Sequence, residues 1–464
     1  MAATPAPAGD LLADLRALVG DRGLVTGERL SARVYDKHVG SVDARVLVRP
    51  ADTEQVSAVL RLCHSRGQPV VPHGGLTGLV YGASARESEL ILSLEALNRI
   101  ESVDVAGRTM RVEAGVTLQR VQEEAERLNL MFPLDLGARG TATIGGNIST
   151  NAGGMRVVRF GMMRSLVLGL EVVLADGTVL CSLNRMLKNN AGYDLKQLFI
   201  GSEGTLGIVT RADLRLASRP VSACAAFVAC RDFAAMTELL AVLDSRLGGQ
   251  LSAFEALWPQ FYELTTTAPA LSSPILPYGH GVYALIEALG ADPEADQDRF
   301  ERVLSDAMES GLIADAAIAK SEADRQAMWA PREDVFQMDR HGPSHSFDVS
   351  LAIADMPRYL DTMHQSLRDR LPGAKSFVFG HVADGNLHIA VCAGDAVGSV
   401  VEGCVYEPLR SITGSISAEH GIGLERKPYL EISRTRAEIA TMRALKAALD
   451  PRGILNPGKV IDVH

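Results

Sequence analysis

The chain has 464 residues, enough for about two to four domains with full cores. A net charge of −10, with no Lys/Arg-rich block, argues against a nucleic-acid-binding surface. The six cysteines (63, 181, 224, 230, 392 and 404) lack Cys-x-x-Cys spacing, which favours reduced, mostly buried thiols over a disulfide framework. No apolar run reaches membrane-spanning length, and the first ten residues show neither a basic nor an apolar segment. No signal peptide is expected, and the cytoplasm is the default location.

After a short disordered lead, residues 10–19 have helical periodicity. A strand is predicted at 46–50, an amphipathic helix at 53–66 and a second short strand at 69–72. That strand runs into His73-Gly-Gly-Leu-Thr-Gly-Leu-Val-Tyr-Gly82. The loop lacks Gly-x-Gly-x-x-Gly spacing and leads to another strand, 89–94, rather than to a helix, so it is not a Rossmann fingerprint. Its backbone amides still suit a pyrophosphate.

A strand at 109–114 and a helix at 117–128 precede a polar, glycine-rich passage, 133–154. A structureless stretch of that length is unusual in a compact domain unless it wraps something. Thr143, Asn147, Thr150 and Asn151 supply hydrogen-bonding side chains there. Strands at 167–174 and 178–182 flank the Asp176-Gly177 turn, and a third glycine-rich passage, 192–209, enters another strand.

Beyond Arg211, strands at 225–230, 253–257 and 283–287 alternate with helices at 233–247 and 293–310 in a ferredoxin-like manner. Residues 268–278 read as a loop. In the stretch 376–391, Asp384-Gly385 has the composition of a two-residue type I′ hairpin loop. That loop would place His381 opposite His388 on one sheet face, as a metal site needs. Two half-buried histidines on a sheet are the plainer alternative. Glu419 and His420 follow a predicted strand, 415–418. They can enter one site together only if the chain bends at Gly421-Ile-Gly423.

Ile144-Gly-Gly-Asn147, Thr150-Asn-Ala-Gly-Gly154 and Gly201-Ser-Glu-Gly-Thr-Leu-Gly-Ile208 resemble the FAD-binding domain of the vanillyl-alcohol oxidase / p-cresol methylhydroxylase superfamily. The closer resemblance is to its FAD-dependent D-2-hydroxyacid dehydrogenases: the D-lactate, D-2-hydroxyglutarate and glycolate oxidase D-subunit types. It extends over nearly the whole chain, including a terminal signature at 447–459. The resemblance implies an α+β fold in three parts: a p-cresol methylhydroxylase-type FAD-binding domain of two α+β subdomains (1–215), a ferredoxin-like cap for substrate (216–415), and a C-terminal helical segment returning to the flavin (416–464).

By the same resemblance, non-covalent FAD lies with its pyrophosphate along Pro72, His73, Gly74, Gly75, Leu76, Thr77 and Gly78. Pro133, Gly137, Ala138, Thr143, Gly145, Gly146, Asn147, Thr150, Asn151 and Gly153 line it. Glu203, Gly207 and Ile208 close the adenosine side, and Asn456 returns to the flavin. Leu76 and Asn190 depart from the Asn and Asp usual in the family. Neither change removes a backbone contact, and His73 does not match the position of a covalent flavin link.

The resemblance further assigns His381, His388 and Glu419 to a divalent metal, zinc first and manganese as the alternative. His420 becomes the base that takes the α-hydroxyl proton while hydride passes to flavin N5. Arg332 grips the substrate carboxylate, and Asn386 hydrogen-bonds substrate. The expected reaction is oxidation of a D-2-hydroxy acid, of the D-2-hydroxyglutarate or D-lactate class, to the 2-oxo acid. Ser346 stands where some hydroxyglutarate dehydrogenases carry Lys, which weakens that member of the class. An electron-transfer flavoprotein or a quinone is the expected acceptor, and a homodimer the expected assembly. The alternatives are an oxidase that uses oxygen and a non-catalytic FAD-fold subunit.

Overall fold

The computed structural model describes residues 10–33, 35 and 39–462; the expected lead at the N-terminus lies outside them. The chain divides into two units. The first comprises 1–154, 161–219 and 419–464, and the second 155–160 and 220–418.

The first unit holds two principal sheets. In the four-stranded one the order is Leu24–Thr26, Val46–Val48, Leu90–Ser93, Val70–His73, with the first pair antiparallel and the rest parallel. Helix Thr53–Arg66 is the crossover between two of these strands. Asp52 caps its N-terminus by accepting from the Gln55 amide, and Gly67 closes it in the left-handed conformation. Val56, Val59, Leu60 and Cys63 lie on its buried face, as the periodicity predicts.

Val70–His73 is an edge strand, and the C-terminal stretch covers that edge. The Val70 amide donates to Ile454 O (2.8 Å), and the Asn456 amide donates to Val70 O (2.8 Å). The second sheet is antiparallel, in the order Ile100–Asp104, Thr109–Glu113, Ile208–Arg215, Val167–Val173, Val179–Ser182.

The passage 133–154 is not structureless. It contains a helix, Ile144–Thr150, whose N-cap Thr143 accepts from Gly146 N and whose Ile144 and Ile148 are buried. Two glycines in seven residues hid it from propensity. The second of two adjacent glycines in the preceding loop is set by contact: a Cβ on Gly75 would lie 2.0 Å from Thr141 O.

The second unit is built on one seven-stranded antiparallel sheet. Its first four strands in sequence are Ser222–Cys230, Leu251–Leu257, Val282–Gly290 and Asp315–Ile318. Taken as 1 to 4, they are ordered 4-1-3-2, and helices Phe233–Arg246 and Pro293–Glu309 supply the two crossovers. This is the ferredoxin-like arrangement expected. Beyond Leu251–Leu257 the sheet continues through Lys375–His381, Asn386–Cys392 and Ser344–Ser350. The segment 155–160 also belongs to this unit, where Arg156 pairs with the fully buried carboxylate of Glu287.

Two local expectations change. Residues 415–418 form no strand; a single bridge joins Ser415 to Ser350. The hairpin at 376–391 closes with a four-residue turn. Phe379, not His381, faces His388, while His381 faces Glu255 on the neighbouring strand. A type I′ loop needs positive φ at both central residues. Here only Gly385 has it (φ 88), and Val382–Asp384 forms a 3-10 turn instead. The slip is two residues, so both histidines keep the same face.

Candidate functional site

A cavity of about 390 Å³ opens in the first unit. Its walls are the loop from Pro72 to Val80, Gly137 and Ala138, the helix residues Thr143, Gly145, Gly146, Asn147 and Thr150, Gly153, and Glu203, Gly207, Ile208 and Asn456. The structure thus brings to one cavity nearly every residue expected around the cofactor. Pro133 and Asn151 do not line it. Pro133 is buried behind the wall, and Asn151 closes the helix in the left-handed conformation while its Oδ1 accepts from Arg164 N. Leu136, Ser149, Ala152, Gly204 and Val209 line the cavity without having been expected. Ala152 and Gly204 sit inside the motifs that carry the resemblance, whereas Leu136, Ser149 and Val209 are small or apolar side chains with no signal of their own.

The cavity is shaped by close backbone approach. A Cβ on Gly74 would lie 2.7 Å from Thr143 Oγ1, one on Gly145 2.7 Å from Ala114 Cβ, and one on Gly204 2.6 Å from Pro72 Cγ. Leu76 has a left-handed backbone (φ 59). That is a conformation Asn adopts more readily, which accounts for the family's residue at this place. Two buried polar atoms of the wall, Asn147 Nδ2 and Asn456 Oδ1, have no partner among the described residues. A cleft with small-residue walls and buried hydrogen-bonding atoms still to be satisfied fits an extended dinucleotide such as FAD.

Asn456 is held firmly. Its Nδ2 donates to Glu203 O (2.8 Å) and Gly82 O (3.1 Å). Behind it, the buried Lys446 Nζ donates to Thr205 O, Leu455 O and the Asp450 carboxylate at 2.6–2.8 Å. Asp450 in turn accepts from Ile454 N and Leu455 N. Glu203 accepts through Oε1 from Ile422 N (2.7 Å) and through Oε2 from Gly423 N (2.9 Å). Burial raises its pKa against the pull of these two amides. This carboxylate fixes the bend after Glu419 and His420, and both of those residues line the same cavity. Arg426 Nη2 lies 3.2 Å from His420 Nδ1. A guanidinium can only donate, so Nδ1 accepts and the neutral ring carries its proton on Nε2.

His73 is buried with Nε2 2.8 Å from Ala83 O. Burial lowers its pKa to about 4, so it is neutral in the fold. The unfolded chain takes up this proton from pH 6.5 downward, and the stability it withdraws grows as pH falls toward 4. The loss approaches about 3 kcal/mol. Urea midpoints should fall over that interval, and His73→Gln should flatten the slope.

In the second unit His381 and His388 stand on adjacent strands with ring centroids 5.1 Å apart and planes at 85°. His381 Nδ1 lies 2.5 Å from Oε1 of the fully buried Glu255. Arg332 Nε donates to the other oxygen of Glu255 (2.7 Å), and its guanidinium stacks over Phe379 at 4.5 Å. Burial alone would raise the Glu255 pKa, but its His381 and Arg332 partners override it and hold it at about 2. The terminal nitrogens of Arg332 have no protein partner among the described residues. Asn386 turns its amide inward, donating to Asp348 Oδ1 (2.7 Å) and Val349 O (3.0 Å). The supporting carboxylates Glu255 and Asp348 were not anticipated, because isolated acids inside apolar strands announce no partner.

The family model for the FAD-binding domain matches residues 44–182, and that for the C-terminal domain of FAD-linked oxidases matches 219–460. The chain belongs to the FAD-linked oxidases. It is accordingly a flavoprotein and an oxidoreductase. It is 40% identical over 427 residues to the mitochondrial D-2-hydroxyglutarate dehydrogenase of Bos taurus, covering 91% of this chain and 77% of that one. It is also 40% identical over 425 residues to a D-2-hydroxyglutarate dehydrogenase of Xanthomonas citri, covering 89% of each. p-Cresol methylhydroxylase shares the fold, with a TM-score of 0.76 at 17% identity over 98% of this chain and 96% of that one. No helix among the described residues is long and apolar enough to cross a membrane.

Proposed function

We propose that this flavoprotein oxidises a D-2-hydroxy acid to the corresponding 2-oxo acid and holds a divalent metal, zinc or manganese, on His381 and His388. The observation that carries the metal is the short contact between His381 Nδ1 and Glu255. Metal-binding histidines typically donate their far nitrogen to a carboxylate, which fixes the tautomer and leaves Nε2 to the metal. Glu419 joins as third ligand on the strength of the sequence. A dication in such a set lowers the pKa of a coordinated hydroxyl.

Arg332 presents its free terminal nitrogens to the substrate carboxylate, with Glu255 holding the guanidinium plane. His420 accepts the α-hydroxyl proton as general base, with Arg426 beside its Nδ1 orienting the ring. Asn386 acts through the carboxylate of Asp348 beside His388. FAD, held without a covalent link, supplies the two-electron acceptor. An electron-transfer flavoprotein or quinone then takes the electrons, and a cytoplasmic homodimer completes the reading. D-specificity and the hydroxy-acid class are supported by the names of the relatives.

Anaerobic addition of D- and L-2-hydroxy acids to the metal-supplemented protein tests the proposal. Bleaching of the flavin by D-acids alone is the expected result; bleaching by none, with FAD bound, refutes it. His420→Ala should keep its yellow colour yet reduce at least about a hundredfold more slowly. An unchanged rate would remove His420 from the base role.

A further inference from the structure

The two groups that a 2-hydroxy acid offers for recognition, its carboxylate and its hydroxyl, sit on adjacent carbons. The cation that grips the first and the imidazole proposed to bear the metal for the second must therefore be held at a short, fixed separation. One side chain of the second unit touches both. Phe379 stands directly across the strand pair from His388, with ring centroids 5.1 Å apart and planes tilted by 36°. The guanidinium carbon of Arg332 lies 4.5 Å from the centroid of the same phenyl ring. His381, two positions along the strand, shares its face.

The ring is itself held. Phe261, in the first turn of helix Pro259–Thr266, stacks on it with centroids 4.1 Å apart and planes within 19°. Both phenyl rings are buried. Arg332 is thus fixed in two independent ways. Glu255 takes its Nε edge, which sets the guanidinium within its plane, and Phe379 covers a face, which sets the tilt of that plane. A guanidinium this deeply buried has lost water from its faces, and the negative face of a phenyl ring replaces part of that solvation.

We infer that Phe379 is a positioning residue of the substrate site: its ring spaces Arg332 from His388 and steadies, through its π-face, the guanidinium that takes the carboxylate. The inference rests on the proposed oxidation of a 2-hydroxy acid and adds a residue to that site. Its contribution is electrostatic as well as steric, so it depends on the charge distribution of the ring and not only on its volume.

The test replaces Phe379 by mono-, di- and trifluorinated phenylalanine, which weaken the negative face of the ring stepwise while nearly keeping its shape, and separately by Leu. Stopped-flow flavin reduction of the FAD- and metal-loaded protein by D-lactate and D-2-hydroxyglutarate supplies a limiting rate and a half-saturating concentration. Pyruvate and 2-oxoglutarate, titrated against the oxidised protein, report binding without turnover. The half-saturating concentration and the product dissociation constant should rise together with each added fluorine. They should reach about tenfold in Phe379→Leu, while the limiting rate moves less. Metal affinity of Phe379→Leu, by equilibrium dialysis, should fall severalfold, because the His388 ring loses the neighbour that limits its tilt. Binding constants unmoved through the fluorinated series, with the wild type active, reduce Phe379 to core packing and overturn the inference, whether or not Phe379→Leu folds. Unchanged metal affinity in folded Phe379→Leu removes His388 from what the ring positions. Reduction by no D-acid refutes the oxidation itself, and the inference with it.

Discussion

Glu255→Ala is expected to be among the most damaging single substitutions in the second unit, by about 3–5 kcal/mol in urea unfolding. The carboxylate is completely buried and bridges Arg332 and His381. Removing it leaves a guanidinium 8% exposed without its counter-charge, which is the expensive way to break a buried pair. Glu255→Gln keeps the volume and an acceptor and should lose less. A second readout separates the two jobs of this carboxylate. Where the variant folds, the His381 ring loses the partner that fixes its tautomer, and metal affinity measured by equilibrium dialysis should fall about 10–100-fold. Metal affinity equal to wild type in folded Glu255→Gln would detach the histidines from the proposed ligand set.

The comparable effect in the first unit is expected at Lys446. Lys446→Met removes one ammonium and with it three hydrogen bonds, leaving Asp450, also fully buried, without its counter-charge. A loss of about 3–5 kcal/mol is expected. The consequence for the cofactor is more telling. Residues 454–456 lie between this knot and the edge strand at Val70, and Asn456 reaches the cavity from there. FAD should dissociate from the variant measurably faster, as followed by recovery of flavin fluorescence. Lys446→Arg keeps the charge but not the compact geometry and should fall between the two.

The parts of the fold written in local chemistry were legible. Helix 53–66 has a capping Asp52, an apolar face and a terminating Gly67, and it was placed to the residue. The ferredoxin-like order followed from alternating strand and helix periods. What escaped was set by tertiary contact. The helix at 144–150 owes its form to packing of Ile144 and Ile148 and to its Thr143 cap, against its own glycines. The hairpin register depended on the conformation of one residue, Asp384, which keeps negative φ. In the candidate site, the glycine passages pointed to the cofactor cavity through the resemblance they carry. The Glu255 bridge, the inward turn of Asn386 and the Arg426 contact to His420 depend on residues 6 to 126 positions apart and left no spacing to read.

The Lys446 knot also bears on the order in which the chain becomes a protein. Its bond to Thr205 O closes a loop of 241 residues, and the whole run 220–418 of the second unit is threaded into the sequence of the first. The second unit can gather most of its contacts as its own run leaves the ribosome. The first must wait, the outer edge of its strand at 70–73 uncovered, until residues 446–456 have been made. Flavin loading is therefore a late event in biosynthesis, and a chain arrested between 419 and 445 would display a finished second unit beside a first that cannot retain its cofactor.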